Sequence, residues 1–300
     1  MIPIIQQRNI YFIFSGLLVL LSFAGLIIFG LKPSIDFTGG SLIELGFTSE
    51  KPSLEDMQTA LGGLDFGSTL VQPVGENAYI IKLRYINDNE HQELLSVLRN
   101  RFETGDQKVL ENRVETIGAV ISSQLKERSW KAGLAVLLAI LLYVAFAFRK
   151  VSRPVKSWKY GAVAIIALAH DVGITVGVFT VLGHFYGVEV GIPFVVALLT
   201  ILGYSVNDTI VVFDRIRETL IKRAHESFEN IVNHSVNSTL QRSVNTSFTV
   251  LLGLVGLYFF GEESVKNFAL ALIVGVAAGT YSSIFLASPL LVVWQKLSKS

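Results

Sequence analysis

The sequence contains no cysteine. Disulfides, thiolate metal sites and thiol catalysis are therefore excluded, and redox chemistry says nothing about the compartment. Charge is scarce too: 16% of the 300 residues are Asp, Glu, Lys or Arg, against about a quarter in an average soluble domain. The net charge is +1, with the basic residues clustered beside apolar runs, so nothing points to nucleic acid as a partner. Hydrophobic residues make up 51% of the chain, and they come in long stretches. This is the composition of a polytopic membrane protein with one polar insertion.

A helix crossing the hydrocarbon core needs about 20 mostly apolar residues. Six stretches qualify: residues 10–30, then roughly 132–148, 161–182, 192–213, 244–261 and 268–293. The first follows Arg8 and has no clear Ala-x-Ala after it. It is also longer than the apolar core of a cleaved signal, about 7–15 residues, so it reads as an uncleaved first span. Lys and Arg collect in 149–160 (Arg149, Lys150, Arg153, Lys156, Lys159) and again in 214–242 (Arg215, Arg217, Lys222, Arg223, Arg242). In contrast, 183–191 has neither residue and 262–267 has one. Positive loops stay in the cytoplasm, so both termini are expected inside and the insertion outside. The expected domains are 1–30, cytoplasmic N-terminus and first span; 31–130, exported; and 131–300, five spans with cytoplasmic loops. Trp130 and Trp158 border spans, as interfacial aromatics do. "GVAAG" (275–279) offers a small-residue face for close helix packing, or small residues placed by chance.

The insertion opens with "SIDFTGGSLIELGF", a strand pattern interrupted by Gly39-Gly40. A helix follows, with Ser53 as N-cap, Glu55 and Asp56 in its first turn and Gly62-Gly63 at its end. Two strands around "GEN", a helix over "DNEHQELLSVLRNRFE" and a last strand over "KVLENRVETIG" complete the order β-α-β-β-α-β. That order predicts an α+β ferredoxin-like domain, a fold that names no activity by itself. His91 is its only histidine, and it has neither clustered carboxylates nor a phosphate-binding glycine loop. Catalysis is not expected here, and an open sheet edge suits an extended chain or a partner better. "DFTGG" has two readings. In one, Gly39 and Gly40 supply positive φ in a turn where Asp36 bonds the local backbone. In the other, the motif is a fixed hinge between the first span and the exported domain.

Ionisable groups inside the spans are the sharpest signal, because a charge in hydrocarbon is costly and marks a functional site by default. Asp208 lies in the fourth span within "GYSVNDTIVVFDRIRE", and Arg242 opens the fifth. At 1.5 Å per residue they lie about 24 Å and about 28 Å from the outer ends of their spans, so an Asp–Arg pair is allowed. The polar stretch 214–241 between them must fold back along the inner surface, and "FDRIRETLIKRAHESFENIVNHS" reads as an amphipathic helix lying on that leaflet. Asp171, after His170, sits about 15 Å deep in the third span. Burial raises an Asp pKa, a nearby Arg lowers it, and Arg itself stays protonated. An Asp that meets Arg in one conformation and loses it in another must bind and release a proton as the protein moves. Against this stand a static Asp208–Arg242 clamp and a snorkelling Arg242. His170 and Asp171 could simply bond across a helix interface. Thr175, Ser205, Asn207 and Thr209 could line a polar path or satisfy the backbone. No cofactor and no metal site is expected.

"DFTGGS" after the first span, "ETIG" before the second and "GYSVNDTIVVFDRIRE" at the end of the fourth, with six spans and one large exported loop, resemble the SecD/SecF family of protein-export membrane subunits, on its SecF side. The family is similar to half of a resistance-nodulation-division (RND) transporter. The resemblance implies that proton flow is used to help pull exported, unfolded polypeptide from the SecYEG translocon, in the cytoplasmic (inner) membrane and without enzymatic activity. It implies SecD as partner, supplying another essential Asp, with YajC, YidC and membrane lipid around the complex. The functional carboxylate falls on Asp208 and the functional guanidinium on Arg242. Where many members have Gly-Pro after "ETIG", this chain has Gly118-Ala119, which implies a less rigid linker to the second span. Three other readings stay open: a half-subunit of an RND small-molecule exporter, an intramembrane aspartyl protease using Asp171 and Asp208, and a passive assembly factor.

Overall fold

Long apolar runs without helix breakers become long helices, because only a helix satisfies its own backbone in hydrocarbon. The computed structural model describes residues 1–147, 157–223, 225–261 and 263–297. In chain order the elements are α1 (Arg8–Phe29), α2 (Ile35–Thr38), β1 (Gly40–Phe47), α3 (Leu54–Gly62), β2 (Leu70–Val74), β3 (Ala78–Leu83), α4 (Asp88–Phe102) and β4 (Val109–Ile117). There follow α5 (Ala119–Ala147), α6 (Ser157–Tyr186), α7 (Ile192–Lys222), α8 (Phe228–Phe260), α9 (Glu263–Ser282), a π turn (Ser283–Ala287) and α10 (Ser288–Leu297). Six helical stretches are long and apolar enough to cross a membrane, the last of them running from α9 through the π turn into α10. The chain divides into two compact units, 33–128 and the remainder. The basic cluster at Arg149, Lys150, Arg153 and Lys156 lies outside the described residues.

In the α+β unit the four strands are antiparallel in the order β2-β3-β1-β4, with β3 between β1 and β2 and β1 between β3 and β4. This is the split βαβ topology. Ile43, Leu45 and Phe47 alternate along β1 into a core shared with Met57, Leu61 and Leu94. Ser53 caps α3 by accepting the Asp56 N–H, and Asn87 and Glu90 form a reciprocal capping box on α4. A register shift between Glu44 and Leu45 leaves Asn112 of β4 unpaired with β1. The stretch before Gly39 is not strand: Ser34 accepts the Asp36 N–H and starts the one-turn helix α2. The linker expected after Gly118 is absent as well, since Ala119 opens α5, which runs unbroken to Ala147.

In the helical unit α6, α7 and α9 are central, and α1, α5 and α8 keep mostly exposed apolar flanks. The helix expected on the inner leaflet is not there. α7 has 31 residues and α8 has 33, about 47 and 50 Å at 1.5 Å per residue, so both outrun a hydrocarbon core of about 30 Å. A short turn joins them, and Ser227 caps α8 by accepting the Asn230 N–H. The apolar face that suited a lipid surface is buried instead, with Phe213 and Ile216 of α7 and Val232 and Val236 of α8 in one core. Residues before α1 join that core: Ile4 and Ile5 are fully buried, and Asn233 and Asn237 of α8 bond the backbones of Ile5 and Ile2. Arg8 and Lys296 both pair with Glu229, so the N-terminus, the start of α8 and the end of α10 share one end of the bundle.

"GVAAG" is a packing face. A methyl group built on Gly275 would come within 2.1 Å of Ile201 on α7, and one on Gly279 within 2.9 Å of Ser205. Ile201 is fully buried and cannot step aside. Gly275→Ala should therefore lower the thermal unfolding midpoint in detergent by the equivalent of about 1–3 kcal/mol of overpacking. Gly253→Ala on α8, where a methyl meets nothing within 4 Å, should not.

Candidate functional site

The centre of the helical unit is a seam of hydroxyls around two carboxylates. On α7, Tyr204 and Asp208 lie four residues apart, one turn along the helix. The Tyr204 hydroxyl donates to Ser247 Oγ of α8 at 3.1 Å, and Ser247 shares a 2.5 Å bond with Thr280 Oγ1 of α9. One turn further, Asp208 Oδ1 accepts from Ser243 Oγ of α8 at 2.7 Å, and Oδ2 accepts from Ser283 Oγ at the head of the π turn. α7, α8 and α9 thus meet along two polar layers.

Asp171 of α6 occupies the other face of α9 and is fully buried. Its Oδ2 accepts from Ser205 Oγ of α7 at 2.5 Å and from Ser282 Oγ of α9 at 2.8 Å. Its Oδ1 lies 2.9 Å from His170 Nδ1. Among the described residues the two carboxylates share no hydrogen-bond donor. They are served by consecutive serines, Ser282 and Ser283. The π turn begins there because Pro289 has no N–H to give the Phe285 carbonyl, and Ser288 Oγ donates to the Ser283 carbonyl instead. Such turns are rare and recur at functional sites.

Arg242 lies in the middle of α8, exposed, and among the described residues no ion pair joins it to Asp208. The place at the carboxylate that a guanidinium would take is held by its neighbour Ser243. Arg242 instead borders a cavity of about 550 Å³ with Asp214, Arg215, Arg217 and Glu218 of α7 and Ser238 of α8. Two of those arginines are engaged locally, Arg215 with Glu218 at 2.7 Å and Arg217 with Asp214 at 3.4 Å. Of the secondary residues, Thr209 is buried, Asn207 is exposed, and Thr175 Oγ1 donates to the Asp171 carbonyl.

The glycine motif lies in the α+β unit, where Gly39 (φ 74°) and Gly40 (φ 124°) turn the chain from α2 into β1. A methyl on Gly40 would come within 2.7 Å of the Leu83 carbonyl oxygen. The motif therefore has a structural duty at the first β1–β3 pairing.

Two family models match: "Protein export membrane protein SecD/SecF, C-terminal" over residues 97–297, and "SecD/SecF GG Motif" over 24–51. The chain belongs to the SecD/SecF family. The protein translocase subunit SecF of Thermobaculum terrenum is 43% identical over 98% of this chain and 94% of that protein. The SecF subunit of Desulfurispirillum indicum is 39% identical over 98% and 92%. Among solved structures, SecDF of Thermus thermophilus, described as a translocon-associated membrane protein, overlays 97% of this chain with TM-score 0.83 at 35% identity. SecDF in a super-membrane-facing form overlays 98% with TM-score 0.69 at 35% identity. This chain spans 38% of the first SecDF chain and 39% of the second. Within this SecD/SecF fold, the hydroxyl partners Ser243, Ser247, Thr280, Ser282 and Ser283 escaped the sequence reading. For Thr280, Ser282 and Ser283 the signal was the run "GTYSS" followed by "SP" in an otherwise apolar span, and for Ser243 and Ser247 it was "RSVNTSF".

Gly40→Ala should break the β1–β3 junction through both strain and contact. The expected result is loss of protease resistance across 33–128, whereas Gly62→Ala, with nothing within 4 Å of its added methyl, should keep it.

Proposed function

We propose that this chain is the SecF-type half of a proton-driven protein-export unit in the cytoplasmic membrane. It pairs with SecD beside the SecYEG channel, with YajC and YidC as accessory partners. The observation that carries the reading is Asp208, a carboxylate inside a six-span bundle bonded by neutral hydroxyls from two other spans, one residue along α8 from a guanidinium. Placing a carboxylate at the centre of a span costs about 3 kcal/mol on insertion scales. Two hydrogen bonds to a charged group return about 1.5–3 kcal/mol each. Neighbours on a helix point about 100° apart. A rotation of α8 of that order exchanges Ser243 for Arg242 at the carboxylate, and with it a neutral partner for a cation. The Asp208 proton is held in one arrangement and released in the other.

Orientation follows from the shared end of the bundle. The Arg8–Glu229–Lys296 cluster groups both termini with the start of α8, just after the end of α7, where Arg215, Arg217, Lys222 and Arg223 collect. By the positive-inside rule that end is cytoplasmic and the α+β unit is exported. Motion of that unit delivers the work to the emerging polypeptide. The mostly exposed apolar flanks of α5 and α8 suit a second set of spans, as does the greater length of the solved SecDF chains.

Reconstitution with SecD and SecYEG in vesicles tests the reading. Asp208→Asn and Arg242→Ala should each bring proton-driven export to background while still inserting and copurifying with SecD. Export by Asp208→Asn at the full rate under a proton gradient would end it.

A further inference from the structure

The export reading leaves Asp171 without a task, although it is more deeply enclosed than Asp208. Its partner His170 is the unusual part. The imidazole is 5% exposed, its ring stacks on Tyr281 at 6.1 Å, and Nδ1 faces Asp171, yet the buried Nε2 has no hydrogen-bond partner. Leaving such an atom unmade costs about 1–3 kcal/mol, and buried polar atoms in native proteins are rarely left so. His170 lines an apolar groove of about 760 Å³, walled by Ser15, Gly16 and Leu20 of α1, Ile166 of α6 and Leu286 of the π turn. His170 thus carries a buried nitrogen without a partner among the described residues, and its side chain lines the groove.

Ser282 and Ser283 connect this pair to Asp208. Ser282 donates to Asp171 and Ser283 to Asp208, and both lie where α9 passes into the π turn. Ser205, the other donor to Asp171, is three residues from Asp208 on α7. The titratable groups facing Asp171 are His170 on its own helix and Tyr281 on α9; α7 contributes the Ser205 hydroxyl there. Tyr11 of α1 reaches Tyr281 through its carbonyl, and Ser15 of α1 donates to the Tyr281 hydroxyl. Around Asp208 the hydroxyl donors are Ser243 on α8 and Ser283 of the π turn, and Arg242 adjoins Ser243 along α8.

We propose that His170 and Asp171 form a second proton-binding site, loaded from the α1–α6 groove and coupled to Asp208 through the consecutive Ser282 and Ser283. An excess proton carried into the groove bonds to Nε2 as the Nδ1 proton passes to Asp171 Oδ1. The imidazole stays neutral with its tautomer exchanged, and the carboxylate becomes a neutral acid. Ser282 then loses its charged acceptor, and the turn that carries Ser283 is free to shift between α and π hydrogen bonding. This site rests on Asp208 being the proton-coupled carboxylate.

The test is proton-driven export against pH in vesicles holding the chain with SecD and SecYEG. His170→Gln and Asp171→Asn should move the midpoint of the pH profile by about one unit or more, the size of one lost charge interaction. Ser282→Ala, a milder change, should move it in the same direction. An unmoved midpoint in all three variants, whether or not the rate falls evenly at every pH, overturns the proposal and leaves the pair a helix clamp. Asp208→Asn in the same assay separates the two readings, because export surviving that change sinks the Asp208 assignment by itself. Infrared titration of the protonated-carboxyl stretch in the purified complex gives a readout independent of export. A pH-dependent band that Asp171→Asn removes and Ser282→Ala shifts is expected; the same band unchanged in Asp171→Asn overturns the second site.

Discussion

A carboxylate inside a lipid bilayer must find hydrogen-bond donors within the protein, and this requirement organises the helical unit. Asp208 and Asp171 can lie where they do only because α7, α8 and α9 bring hydroxyls to them. That in turn demands short distances between helix axes. Gly275 and Gly279 provide the approach of α9 to α7, at the same turns that carry Ile201 and Ser205. Small residues and hydroxyls are therefore one design: the first brings the backbones close, the second uses the closeness. Association of helices in lipid relies on such packing and polar contacts because the hydrophobic effect offers little difference between lipid and protein.

The same end of the bundle that holds the termini also holds its strongest charges. Glu229 takes Arg8 and Lys296, and Asn233 and Asn237 tie the first residues to α8. A helix clamped at that end and bonded by Ser243 and Ser247 along its length moves as a unit. The free side of α8 is largely apolar and exposed, which suits a helix that turns against a partner.

Much of this was legible beforehand, and the reason differs by element. The spans were visible because hydrocarbon tolerates few sequences, and the βαββαβ order because capping and alternation agree from Ser53 to Ile117. Asp208 and Arg242 stood out as charges where charges are costly. The serines did not, because a helical serine usually bonds its own i−4 carbonyl and carries no message about a partner. Ser235 does so here, donating to the Ile231 carbonyl, whereas Ser243 instead reaches another span. Sequence cannot separate those cases. The extended α7–α8 hairpin was hidden for a related reason: an amphipathic pattern reveals an apolar face, and both a leaflet and a neighbouring helix can cover it. α2 was missed because one turn is too short for periodicity, leaving only the Ser34 cap as a sign.

The magnitudes indicate why neutral hydroxyls, and not a permanent cation, hold Asp208 in this arrangement. A charge crossing a potential of 100 mV gains about 2.3 kcal/mol. A hydrogen bond from a hydroxyl to a carboxylate is worth about 1.5–3 kcal/mol. The two are of similar size, so under the proposed coupling one proton passing through the site breaks one such bond and shifts the helix that supplies it. A buried ion pair is a different matter, since removing one partner costs about 3–5 kcal/mol. In the proposed coupling, serine on both sides of the carboxylate, with arginine one residue away along α8, sets a neutral partner beside a cationic one, and the proton gradient chooses between the two arrangements.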